Sequence, residues 1–71
     1  MKAERDIEKE YSTAEFVSKL RRLADAVEAG DQFEIQIAGE RIYVPVRAVY
    51  SIEHERGESE EEIEFQIKWS T

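Results

Sequence analysis

From residue 62 to residue 69 the chain alternates strictly. Ile63, Phe65, Ile67 and Trp69 fall between Glu62, Glu64, Gln66 and Lys68. Successive side chains of a β-strand point to opposite faces, so this pattern predicts a strand with one apolar and one polar face. The stretch before it has the same grammar, with Ala48, Tyr50 and Ile52 in phase and Gly57-Glu58 between the two runs. Two hairpin registers fit. A two-residue turn at Gly57-Glu58 pairs Ile52 with Ile63, Tyr50 with Phe65 and Ala48 with Ile67. A four-residue loop over 57–60 pairs Glu55 with Glu62 and Glu53 with Glu64. Both keep the apolar residues on one face.

An earlier hairpin is written in QFEIQIAGERIYVPV, residues 32–46. Gly39-Glu40 at the centre of a type II′ turn, which takes glycine first, sets Ile37 against Ile42, Ile35 against Val44 and Phe33 against Val46. Pro45 lacks an N–H and marks an edge or a bend. Residues 41–56 therefore fit either one long bent strand or two strands with a kinked join.

Between residues 11 and 30 the period changes to that of a helix. Ser12 and Glu15 have the spacing of a capping box, and Tyr11 and Phe16 that of a hydrophobic staple. Phe16, Leu20, Leu23, Ala24 and Val27 then form one stripe, and Gly30 suits a left-handed stop. The helix is expected over 13–29. Before it, Glu4, Asp6, Glu8 and Glu10 alternate with Arg5, Ile7, Lys9 and Tyr11, which reads as a further strand.

These elements predict an α+β domain over residues 1–71. A four- or five-stranded antiparallel sheet, in the order β-α-β-β-β-β, carries one amphipathic helix across its apolar face. The expected core is Phe16, Leu20, Leu23, Val27, Phe33, Ile35, Ile37, Ile42, Val44, Tyr50, Ile52, Ile63, Phe65, Ile67 and Trp69. Trp69, the single tryptophan, is in phase with its neighbours and is expected in the core or at its rim.

The chain order and several of its residues resemble the amphi-Trp domain family, named for an amphipathic pattern and a C-terminal tryptophan. The matching positions are Glu15, Leu20, Leu23 and Ala24 in the helix, Gly30 after it, Val44-Pro45, Ile52-Glu53, and Glu62 to Trp69. The resemblance covers nearly the whole chain, and the terminal tryptophan discriminates most. It implies a compact, cytosolic, prokaryotic domain and carries over no catalytic, cofactor or ligand residue.

Composition narrows the chemistry. With 71 residues and no cysteine, the chain has no disulfide, zinc ribbon or thiol nucleophile, and its one histidine, His54, gives no histidine metal staple. A small chain without such staples relies on a tidy core or on association with another chain. No apolar run approaches the roughly 20 residues that cross a bilayer, and the N-terminal residues lack an apolar signal core, so a cytoplasmic location with no membrane partner is expected.

The net charge is −7, and the segment 53–64 alone holds seven glutamates against Arg56. Such a chain is repelled by phosphate backbones, so nucleic acid is not an expected partner. Glu53, Glu55, Glu60, Glu62 and Glu64 gather on the second hairpin, where like charges stand opposite each other at a cost of roughly 0.2–1 kcal/mol per pair. Solvation with protection of sheet edges, adaptation to high salt, and a docking surface for a basic protein segment or a cation are the three readings of that cluster. Lys19, Arg21 and Arg22 form a small basic patch read as a solvated helix face. The charge segregation also suggests two copies, with the helix of one facing the acidic hairpin of the other.

No nucleophile triad, phosphate loop or dinucleotide fingerprint is present. Paired carboxylates do acid–base work only in a pocket that tunes them, and none is foreseen. His54 reads as a rim residue. The expectation is a non-enzymatic protein-interaction or accessory domain without a cofactor, self-associating as a homodimer or docking a basic segment. The alternative is RNA or small-ligand binding through the open sheet face around Tyr43.

Overall fold

In a computed structural model, which describes residues 4–71, helix α1 (Thr13–Ala29) is followed by strands β1 (Phe33–Ile37), β2 (Glu40–Val44), β3 (Val49–Arg56) and β4 (Glu61–Lys68). The helix starts and stops where its caps place it. Ser12 is extended, and its hydroxyl accepts the Glu15 N–H at 3.2 Å. The return bond of the capping box takes another form, because the same hydroxyl donates to the Glu15 carboxylate at 2.9 Å. At the other end Gly30 is left-handed. Its N–H bonds Val27 O, and the Asp31 N–H bonds Ala26 O, the two bonds of a Schellman motif.

The strands do not form one sheet. β1 pairs with β2 and β3 with β4, giving two separate antiparallel hairpins. The expected continuous sheet fails at Pro45. The Pro45 carbonyl accepts the Ala48 N–H at 3.1 Å, closing a tight turn over residues 45–48 that leads β3 away from the β2 edge. Residues 41–56 are thus two strands rather than one bent strand. The strand expected at residues 4–10 is also absent, since residues 4–12 join no ladder. This segment is held by Arg5, whose guanidinium pairs with Glu40 and donates to the Ile37 carbonyl at 2.7 Å.

Hairpin β1–β2 pairs Phe33 with Val44, Ile35 with Ile42 and Ile37 with Glu40. The partners are shifted by two residues from those expected, so every side chain keeps its face. The turn is Ala38-Gly39 rather than Gly39-Glu40. Ala38 has φ 48° and Gly39 φ 84°, the pair of positive values of a type I′ turn. An alanine in the left-handed region costs about 1–2 kcal/mol, and asparagine tolerates it far better. Ala38→Asn is therefore expected to stabilise the chain by about 1 kcal/mol, read as a higher midpoint in urea unfolding. A midpoint at or below that of the parent would contradict this turn.

The core is small. Phe33, Val44 and Ala48 are buried, and Leu23, Ala26, Ile35, Ile67 and Trp69 pack against them half-buried. It lies where the helix, the first hairpin and the base of the second meet. Trp69 therefore takes its expected place at the core's rim. Phe16, Leu20, Val27, Tyr50, Ile52, Ile63 and Phe65, all expected inside, are exposed. Periodicity assigns them correctly to the apolar faces of the helix and the second hairpin, but within one chain these positions stay uncovered. The molecule is correspondingly open: its radius of gyration is 13.7 Å, against about 11 Å for a compact chain of this length.

Candidate functional site: two faces of the second hairpin

The β3–β4 register pairs Tyr50 with Ile67, Ile52 with Phe65, Glu53 with Glu64, His54 with Ile63 and Glu55 with Glu62. It is the register of the four-residue loop, closed by the Gly57 N–H on the Glu60 carbonyl at 2.8 Å. Strand alternation then sorts the hairpin into an acidic face and an apolar face.

On the acidic face stand Glu53, Glu55, Glu62 and Glu64, with Glu60 in the adjoining loop. The structure thus brings the five candidate docking residues to one end of one hairpin. Glu55, Glu60 and Glu62 border a shallow depression of about 250 Å³ with Arg56 and Gly57. What the sequence did not reveal is how the facing carboxylates are held. Gln66 donates one amide to both Glu53 (2.8 Å) and Glu64 (2.9 Å), and its own oxygen accepts from the Ser51 hydroxyl at 3.1 Å. The only signal for Gln66 was its position two residues from Glu64 on the same face.

Oxygens of Glu55, Glu62 and Glu64 lie within 4.8 Å of one another. They are the donor type for a hard divalent cation, but three carboxylates, two of them exposed and one half-buried, leave most of such a shell to water. Crowding has a second consequence. The Glu62 carboxyl is pushed up to about 7 by its hydrogen bonds to Glu64 and Glu55 and by the charges of both. Glu64 is held below the usual carboxylate range by hydrogen bonds from Gln66 and from Glu62. Crowding thus favours the protonated form of Glu62 and the charged form of Glu64.

The raised Glu62 carboxyl sets a pH dependence. A carboxyl whose pKa is raised on folding binds more protons in the folded than in the unfolded chain between its two pKa values, so stability falls as pH rises through that interval. For Glu62 the interval runs from 4.5 to about 7. The lowered Glu64 acts in the opposite sense, and at lower pH. The thermal midpoint is expected to drop as pH rises across the Glu62 interval, and Glu62→Gln to flatten the drop. An identical slope in the variant would contradict the raised Glu62 carboxyl.

The other face carries Tyr50, Ile52, Ile63, Phe65 and Ile67, with His54 and Glu61 towards the tip. His54 Nε2 lies 2.7 Å from the Glu61 carboxylate, which Arg56 also approaches at 3.4 Å. The expected rim position of His54 thus becomes a polar edge to an apolar surface. Towards the base, Phe65, Ile67 and Trp69 line an open groove of about 360 Å³ with Phe16, Leu20 and the first hairpin.

The basic residues of the helix are less free than a solvated face implies. Lys19 Nζ lies 4.9 Å from the centre of the Tyr11 ring, and the Arg22 guanidinium 5.6 Å from that of Phe33, distances at which a cation is attracted to an aromatic face. Tyr43 stands on the polar face of the first hairpin opposite Glu34. Among the described residues no helix is long and apolar enough to cross a membrane.

No curated protein and no solved structure matches the chain. The family model of the Amphi-Trp domain matches residues 1–71, the whole length. The chain belongs to the Amphi-Trp domain family.

Proposed function

We propose that this domain is a non-enzymatic protein-interaction module of the prokaryotic cytoplasm and that it works through its second hairpin. The observation that carries the reading is the uncovered apolar face. Tyr50, Ile52, Ile63 and Phe65 are 53–68% exposed on one side of a two-stranded ribbon, and contiguous apolar surface of this kind marks a site of contact with another polypeptide. The reverse face, with Glu53, Glu55, Glu60, Glu62 and Glu64, adds a salt-sensitive docking surface for a basic segment. Its carboxylates lie on an open ribbon rather than in a closed pocket, which supports binding over acid–base catalysis. The lack of cysteine fits a reducing compartment.

The test is affinity capture from lysate at low and moderate salt. The baits are the parent chain, a variant carrying Ile52→Asp and Ile63→Asp, and one with Glu53, Glu55, Glu60 and Glu62 changed to Gln. A polypeptide, an untagged copy of the chain included, should be retained by the parent and lost from the Ile variant. Retention that depends on the glutamates should weaken with salt. Nothing retained by the parent would contradict the reading.

A further inference from the structure

The exposed apolar surface matches what a second copy of the same chain would cover. The accessible surface is 6536 Å², whereas a folded monomer of 8.3 kDa exposes about 4,600 Å². The excess, roughly 2,000 Å² per chain, is the scale of surface buried in obligate homodimers. The second hairpin makes the same point locally. A two-stranded ribbon is marginal in water unless its apolar face packs on something. Here the base is packed, through Ile67 and Trp69, while Ile52 and Ile63 in the outer half are 68% and 65% exposed.

The chain also carries both sides of the missing contact. One is an apolar ridge, Ile52 and Ile63, with His54, Arg56 and Glu61 beside it on the same face. The other is the apolar groove beside Phe16 and Leu20, themselves 54% and 39% exposed, with Lys19 as its one charged lining residue. Within one chain the ridge extends beyond the groove it would fill, because only the base of the hairpin reaches that groove. A two-fold axis solves this for both copies together, since in such an interface each copy supplies the surface the other lacks.

We propose that the chain forms a symmetric dimer in which the outer half of each second hairpin covers the helix-side groove of the other copy. This rests on the interaction-module reading and names its partner. A foreign basic segment would satisfy the acidic face alone. A second copy supplies an apolar counterpart to both the ridge and the groove.

Sedimentation equilibrium is expected to give twice 8.3 kDa for the parent chain and one copy for Ile63→Asp, whose helix signal by circular dichroism should persist. Because the chain has no cysteine, arrangement is read by mixing Phe16→Cys with Ile63→Cys and oxidising. Disulfides between position 16 of one copy and 63 of the other should predominate. A dimer that yields only 63–63 disulfides, or one that Ile63→Asp leaves intact, overturns the proposed arrangement. A single-copy parent chain that still retains another polypeptide overturns the dimer but leaves the interaction reading standing. A single-copy chain that retains nothing overturns both.

Discussion

Phe33→Ala is expected to abolish cooperative folding. Phe33 is 7% exposed at the centre of the buried cluster, with Val44 across the strand pair, Ala48 beneath the turn and Leu23 and Trp69 against it. Arg22 lies over its ring. Truncating a buried phenylalanine costs about 3–5 kcal/mol, from lost transfer energy and the cavity left behind. A chain of this length has about 4–10 kcal/mol in total, so the loss runs from about a third of what holds it together to all of it. The check is urea unfolding followed by circular dichroism, with Val46→Ala alongside. Val46 is 59% exposed, and its truncation is expected to change stability by less than about 0.5 kcal/mol. Equal small effects for the two variants would mean that the core does not lie at Phe33.

Phe65→Ala is expected to cost nearly as much, although Phe65 is 68% exposed within one chain. If a single copy were the folded unit, truncating so open a ring would remove little burial and cost under about 1 kcal/mol. Covered by a second copy, the ring is interior, and the cost rises to about 3 kcal/mol or more. Leu20→Ala follows the same logic from the opposite side of the groove. Urea titration of Phe65→Ala therefore weighs the two states of the chain against each other. A loss below about 1 kcal/mol would identify the isolated chain as the stable species.

Local signals in the sequence were read well because their physics is local. Ser12 and Gly30 satisfy backbone groups at the two helix ends within one helical turn, so the helix bounds follow from spacing alone. The faces of both hairpins were legible because strand alternation survives any shift of two residues. The same insensitivity hid the register of the first hairpin. An alanine gives no notice that it will take a positive φ, so Gly39-Glu40 looked a better turn than Ala38-Gly39. Pro45 announced a break, but whether the chain bends within a sheet or leaves it depends on the Ala48 N–H reaching back to the Pro45 carbonyl. The alternation of residues 4–11 is a strand pattern that joins neither hairpin, and Arg5 anchors that segment instead. Gln66 escaped notice because its bridging of Glu53 and Glu64 is a matter of side-chain rotamer.

The core list shows a deeper limit. Hydrophobic periodicity tells which side of an element avoids water but not what covers it. Of the residues expected inside, those at the junction of the three elements are packed, and those on the outer half of the second hairpin are bare. The difference is tertiary: the turn at 45–48 separates the hairpins, and one helix cannot span both. The acidic cluster is legible as charge, but the raised Glu62 carboxyl is not, since it requires Glu55, Glu62 and Glu64 to meet within 4.8 Å.

The central claim is that a second copy completes this fold, and the most direct test is the urea midpoint of the parent chain measured over a wide range of protein concentration. If folding and association are one step, mass action raises the midpoint steadily with concentration. A midpoint independent of concentration, with the mass of a single copy, would show that the small cluster around Phe33 suffices alone and would contradict the account.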